Sequence, residues 1–209
     1  MRSGAALARL LVVTDRHGAD RPLFETIRAA VEGGARFIWL RDRDLDRGVR
    51  AGLARDLIDL LRPVDGTLVV GGDADLAAQA GAQGVHLSGS AGSAGIRLAR
   101  ETLGPAALIG VSAHSVPEVE AAAGAGADYA TLSPVYASSS KPGYGPALGP
   151  TVFRAAARCH LPVFGLGGIE PGNARACLEA GAAGIAVMGG LMRAADPCSE
   201  TALYRAALA

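Results

Sequence analysis

The stretch AGADYATL (residues 125–132) has the form of a helix end running directly into a strand. Gly126 suits the left-handed turn that closes a helix, and the residues after it feed an extended run. The same form recurs as GGARFI (33–38), AGAQGVHL (80–87) and AGAAGIAV (180–187). A junction repeated along one chain is the trace of a repeating βα unit.

Working outward from these junctions, short apolar runs recur along the chain. They are LLVVT (10–14), FIWLR (37–41), TLVVG (67–71), GVHLS (84–88), LIGVSAH (108–114), YATLSPVY (129–136), PVFGLGG (162–168) and GIAVMGG (184–190). Between them lie stretches with helical spacing, such as 50–61 and 173–180. Continuous apolar strands alternating with helices predict a parallel sheet covered by helices. Eight such strands in 209 residues predict a single (β/α)8 TIM barrel at the short end of that fold's range. A doubly wound open sheet would place a glycine-rich fingerprint after the first strand, and VVTDRHG (12–18) is not one.

Composition narrows the function classes. The chain has 20 basic and 20 acidic residues, which predicts no extended nucleic-acid or membrane-surface footprint, although a local arginine cluster can still bind a small anion. Cys159, Cys177 and Cys198 are odd in number and lack C-x-x-C spacing, which fits a reducing, cytoplasmic setting rather than disulfides or structural zinc. Arg9 and Asp15 interrupt the apolar N-terminal run, which is read as the first core strand rather than a signal peptide. No run is long and apolar enough to span a membrane. Aromatics are scarce and glycines number 29, so the expected core is aliphatic with close backbone packing.

In such barrels the working residues stand where strands end and βα loops begin. Two of those loops, GLGGIEPGN (165–173) and VMGG (187–190), carry paired glycines after the seventh and eighth strands. Phosphate often binds there to backbone amides, and a Cβ would hold its oxygens away. Gly167, Gly168, Met188, Gly189 and Gly190 are therefore expected to hold a phosphate, against the plainer reading that the glycines only permit tight turns. Arg41 and Arg43 lie on one side of an extended segment and could reach an anion over the mouth. A solvated loop balanced by Asp42 and Asp44 reads equally well. Ser138, Ser140 and Lys141 lie in a long loop of small residues that is either a lid or a plain surface loop. His114 ends the fifth strand, where an imidazole could carry protons, although HSVPEVE (114–120) also opens a helix that Ser115 would cap. His86 is mid-strand and reads as a neutral core histidine.

Taken together, VTD (13–15), LRDRD (40–44), ADLAAQAGAQGVHL (74–87), IGVSAHS (109–115), GADYATLSPVYASSSK (126–141), PVFGLGGI (162–169) and AGAAGIAVMGG (180–190) resemble the thiamine-phosphate synthase and thiazole tautomerase superfamily. The resemblance runs from Leu10 to Pro197, which sets the expected core (about 10–197) of one domain over residues 1–209. It implies a TIM barrel acting on a small phosphorylated thiazole, with a homodimer compatible but no stretch that marks an interface. Synthases of this kind use Mg²⁺, held by one Asp after strand three and another after strand four. Gly71–Gly72 and Ser88–Gly89–Ser90–Ala91 stand at those places, and Trp39 stands where synthases have Gln. Asp73 falls one residue late, and would be a metal ligand only in a divergent synthase.

The missing carboxylates point to the tautomerase branch, which isomerises the carboxylated thiazole phosphate and needs no metal or cofactor. His114 matches the family's histidine and would be the catalytic acid/base, with Arg41 and Arg43 holding carboxylate or phosphate. A synthase using Mg²⁺ is the alternative. A non-catalytic regulator that binds a phosphorylated ligand is a third reading.

Overall fold

The computed structural model describes residues 7–18, 21–137 and 146–209. Its strands are β1 (Leu10–Val13), β2 (Phe37–Leu40), β3 (Thr67–Gly71), β4 (Gly84–Leu87), β5 (Leu108–Ala113), β6 (Tyr129–Leu132), β7 (Val163–Leu166) and β8 (Gly184–Val187). Each pairs in parallel with the next, and β8 closes on β1 through Leu11 opposite Ala186, giving a (β/α)8 TIM barrel. The helices are α1 (Leu23–Glu32), α2 (Arg47–Leu61), α3 (Ala74–Ala80), α4 (Gly92–Leu103), α5 (Val116–Gly124), α6 (Phe153–Ala156), α7 (Pro171–Glu179), α8 (Gly189–Met192) and α9 (Pro197–Ala207). Among the described residues no helix is long and apolar enough to cross a membrane.

The four repeated junctions share one construction. Gly34, Gly81, Gly126 and Gly181 all have positive φ, from 79° to 106°. The alanine after each donates its amide back five residues into the helix, to Ala30, Ala77, Ala122 and Cys177 at 2.9–3.1 Å. The glycine amides return to Val31, Ala78, Ala123 and Leu178 at 2.9–3.2 Å. This double bond pattern satisfies the last helix carbonyls and needs a residue without a Cβ at the left-handed position. The following polar residue then stitches the next layer: the Gln83 side chain accepts from the Leu68 amide, and Asp128 from the Ile109 amide, both at 2.8 Å.

Alternation along the strands separates two cores. Val12, Ile38, Leu40, Val70 and Val85 face the helices in a largely aliphatic layer. Leu11, Val13, Phe37, Trp39, Val69, Tyr129, Phe164 and Ala186 fill the barrel interior. The expectation of an aliphatic core is thus corrected for the inner layer, where four of these eight residues are aromatic. Phe37, Tyr129 and Phe164 meet edge to face with centroids 5.4–5.8 Å apart, an arrangement worth about 0.5–1.5 kcal/mol per pair beyond burial. Gly110 makes the room, since a Cβ there would lie 2.1 Å from the Tyr129 ring. The packed core also runs past Pro197: Tyr204 of α9 is 1% exposed and donates its hydroxyl to the Ile169 carbonyl at 3.0 Å.

Candidate active site

A cavity of about 250 Å³ opens at the C-terminal ends of the strands. β7 and β8 lead into Gly167, Gly168, Met188, Gly189 and Gly190, β2 contributes Trp39 and Arg41, and β5 leads into His114. Arg43 is not part of this lining. Ser138, Ser140 and Lys141 lie outside the described residues.

The glycines have packing reasons that the sequence reading did not contain. Gly168 has φ 62°, and a Cβ on it would sit 2.3 Å from the Ala137 carbonyl oxygen. The β6 loop is zipped to the β7 loop by the Val135 and Tyr136 amides, which donate to Leu166 and Gly167 at 2.9 and 3.0 Å. At Gly190 a Cβ would meet the Tyr204 hydroxyl at 2.6 Å, and at Gly189 the Arg193 guanidinium at 2.2 Å. Arg193, Tyr204 and Glu170 also line the cavity and were missed. A signal for Arg193 was available, because it lies four residues after Gly189 and its amide closes a helical turn onto the Gly189 carbonyl at 3.1 Å. A guanidinium and glycine amides thus share one corner, an arrangement suited to an anion.

His114 and Ser115 divide the two roles weighed for this segment. The Ser115 hydroxyl caps α5, accepting from the Glu118 amide, while the Glu118 carboxylate accepts from the His114 amide at 2.9 Å. The imidazole reaches the cavity, with Nδ1 3.0 Å from the Ser133 carbonyl oxygen. A carbonyl can only accept, so Nδ1 carries the hydrogen and Nε2 is the basic nitrogen of the neutral ring.

Beside this cavity, the β2 loop sends its charges in different directions. Arg41 enters the cavity, with Nη1 3.5 Å from the Met188 sulfur. Asp42 is buried and accepts from the Thr14 hydroxyl and, at 2.7 Å, from the Arg16 amide. Asp44 pairs with Arg16 at 2.6 Å and His17 at 2.7 Å. Both carboxylates that the competing solvated-loop reading set against Arg41 and Arg43 are therefore engaged with the β1 loop. Arg50, placed by its sequence on an ordinary helix, is 5% exposed and donates to the Leu40 and Gly71 carbonyls at 3.1 and 2.6 Å.

Trp39 forms part of the cavity floor, stacked on His86 with centroids 3.7 Å apart. His86 is fully buried, bonded to the Tyr129 hydroxyl at 2.9 Å and near the Ser112 hydroxyl at 3.0 Å. Burial, assisted by the charge of Arg43, pushes its pKa down to about 3. The folded imidazole therefore stays neutral where the unfolded one takes a proton, so stability is retained above pH 6.5 and lost as pH falls from there towards 3. From this group alone, urea unfolding is expected to show a loss of about 2 kcal/mol between pH 6.5 and 5. His86→Gln should flatten that slope; a wild-type slope no steeper than the variant's would mean that the buried ring takes up a proton.

The residues at the places of the implied metal ligands do not fit Mg²⁺, which requires several hard oxygens. Asp73 caps α3, accepting from the Leu76 amide at 2.8 Å, and pairs with Arg47 at 3.3 Å. A side chain on Gly72 would meet the Arg43 guanidinium at 2.8 Å. Ser88 and Ser90 bond to each other at 2.8 Å. Among the described residues no group of three His, Cys, Asp or Glu is placed to hold a metal ion.

Comparison with known proteins assigns the family. The chain is 40% identical over 190 residues to the thiamine-phosphate synthase of Azorhizobium caulinodans, covering 90% of this chain and 88% of that one. It is 37% identical over 192 residues to the thiamine-phosphate synthase of Roseiflexus castenholzii, covering 91% and 83%. A solved thiamine phosphate pyrophosphorylase from Pyrococcus furiosus superposes with a TM-score of 0.85 at 31% identity, covering 96% of this chain and 95% of that one. These names favour the synthase over the tautomerase expected from the sequence. A family model described as thiamine monophosphate synthase matches residues 10–191, and the chain belongs to that family.

Proposed function

We propose that the chain is an enzyme of thiamine biosynthesis that joins a pyrimidine methyl diphosphate to a thiazole phosphate. The observation that carries this reading is the match to synthase-named relatives over 83–88% of their own length. The geometry is compatible with it. The glycine loops after β7 and β8, with Arg193, offer donors for the thiazole phosphate, and Arg41 faces the same cavity. The thiazole ring nitrogen would use its lone pair to form the new C–N bond to the methylene carbon. The C–O bond to diphosphate breaks, and its electron pair leaves on the diphosphate oxygen. The protein's task is to orient the two rings and to meet charge growing on the leaving group.

The test incubates the purified chain with both substrates and follows thiamine phosphate after its oxidation to fluorescent thiochrome. Product accumulating with enzyme concentration is expected. Its absence from folded protein that still binds thiazole phosphate would overturn the synthase reading. Tautomerisation is the second reading, favoured by one observation: His114 presents a basic Nε2 while the metal-ligand positions carry no carboxylate pair. A single acid/base group beside a bound phosphate is what a proton shift requires.

A further inference from the structure

We propose that the ends of β2, β3 and β4 form a diphosphate site that works without a divalent cation, the Arg43 guanidinium holding the place of the metal. The inference rests on the synthase reading for the identity of the anion, but its binding test does not.

The geometry is specific. Gly72 has φ 71°, and the position of a Cβ on it lies 2.8 Å from Arg43 Cζ, 2.8 Å from Nη2 and 3.0 Å from Nε. Three atoms of one planar group at nearly equal distance mean that the guanidinium lies broadside over Gly72. Any side chain at position 72, a carboxylate included, would displace it. The place from which a metal ligand would project is thus occupied by a permanent positive charge. Asp73 next to it is committed to the α3 cap and Arg47.

The surroundings keep that charge uncompensated. Asp42 and Asp44 turn to the β1 loop, and among the described residues Arg43 forms no ion pair. The buried Arg50 sits nearby as a second cation, fastened to the ends of β2 and β3. Burial lowers the pKa of Arg50, and the charge of Arg43 lowers it further, while Asp73 and Asp42 oppose the shift. A divalent ion added beside these groups would meet repulsion and find few hard oxygens. A diphosphate would find a planar fork of donors matched to its oxygens. The Ser88 and Ser90 hydroxyls at the end of β4 lie at the adjacent strand end. In the condensation, the electron pair released by the C–O bond would be met by this guanidinium.

The experiment titrates inorganic diphosphate into the full chain by calorimetry, once with EDTA and once with excess Mg²⁺. Binding is expected in EDTA, and it should be no tighter with excess Mg²⁺, which ties up diphosphate in solution. Arg43→Ala should weaken binding at least ten-fold in EDTA, and Arg43→Lys, which keeps the charge but loses the fork, should fall between. Arg43 is exposed, so both variants are expected to keep the wild-type melting temperature. Binding that appears only with Mg²⁺, binding in neither buffer, or an Arg43→Ala variant that binds as the wild type would each overturn the proposal. Metal-independent diphosphate binding without thiamine phosphate formation would sink the synthase reading and leave the site standing. Product formed only with Mg²⁺ would do the reverse.

Discussion

Gly168→Val is expected to lower the melting temperature by about 10 °C, before any question of ligand binding arises. Two costs add. At φ 62° a β-branched residue is strained, by about 1–2 kcal/mol. Its Cβ would also press on the Ala137 carbonyl oxygen at 2.3 Å and the Tyr136 Cβ at 2.7 Å, and overpacking of this kind costs about 1–3 kcal/mol. The Ala137 oxygen belongs to backbone next to the Val135 and Tyr136 amides that pin the β6 loop to the β7 loop. Relief therefore means breaking those bonds. For a domain of this size each kcal/mol moves the melting temperature by about 2–4 °C. Gly168→Ala places the same Cβ in the same clash and should lose most of the same stability. If the glycine served only to let a phosphate approach its amide, both variants would melt like the wild type and fail only in binding thiazole phosphate. An unchanged melting curve would therefore remove the packing explanation.

The barrel was legible because its repeat is chemical. A glycine at each left-handed turn, with alanine after it, leaves a mark that does not depend on what the helix packs against. Strand starts were legible for the same reason. Strand ends were read too long: YATLSPVY closes as a strand at Leu132, since Pro134 cannot donate to a ladder and the chain turns to meet the β7 loop. What stayed hidden depends on direction rather than composition. Asp42 and Asp44 read as counterions of their arginine neighbours, yet they face β1. Arg50 has the sequence context of a surface helix and is buried under two strand ends. The aromatic interior was hidden because a count of aromatics says nothing of where they gather. The missing carboxylates at β3 and β4 were visible and drew the reading towards a tautomerase. The relatives carry the synthase name instead. Sequence shows that a ligand is gone, but not that a side chain from the neighbouring strand end lies over the vacated position.

Arg41→Met and His114→Asn are expected to separate the two chemistries still in play. Arg41→Met should lower thiamine phosphate formation by about 10²–10³-fold, the usual consequence of removing one donor aimed at developing charge. Arg41 enters the cavity, and among the described residues its side chain bonds only to a thioether sulfur, a weak acceptor that leaves the guanidinium donors available to an oxyanion. His114→Asn should leave the same reaction within about five-fold, because C–N bond formation with loss of diphosphate moves no proton in the step that breaks the C–O bond. Asparagine can still donate to the Ser133 carbonyl, so the loop keeps its anchor while the basic Nε2 is lost. A tautomerase gives the opposite pattern: His114→Asn removes turnover, and Arg41→Met raises KM more than it lowers kcat. Steady-state assays of both variants on both reactions distinguish these outcomes. Equal loss of synthesis in the two variants would make the imidazole part of the leaving-group site, and the division of labour between Arg41 and His114 would then be wrong.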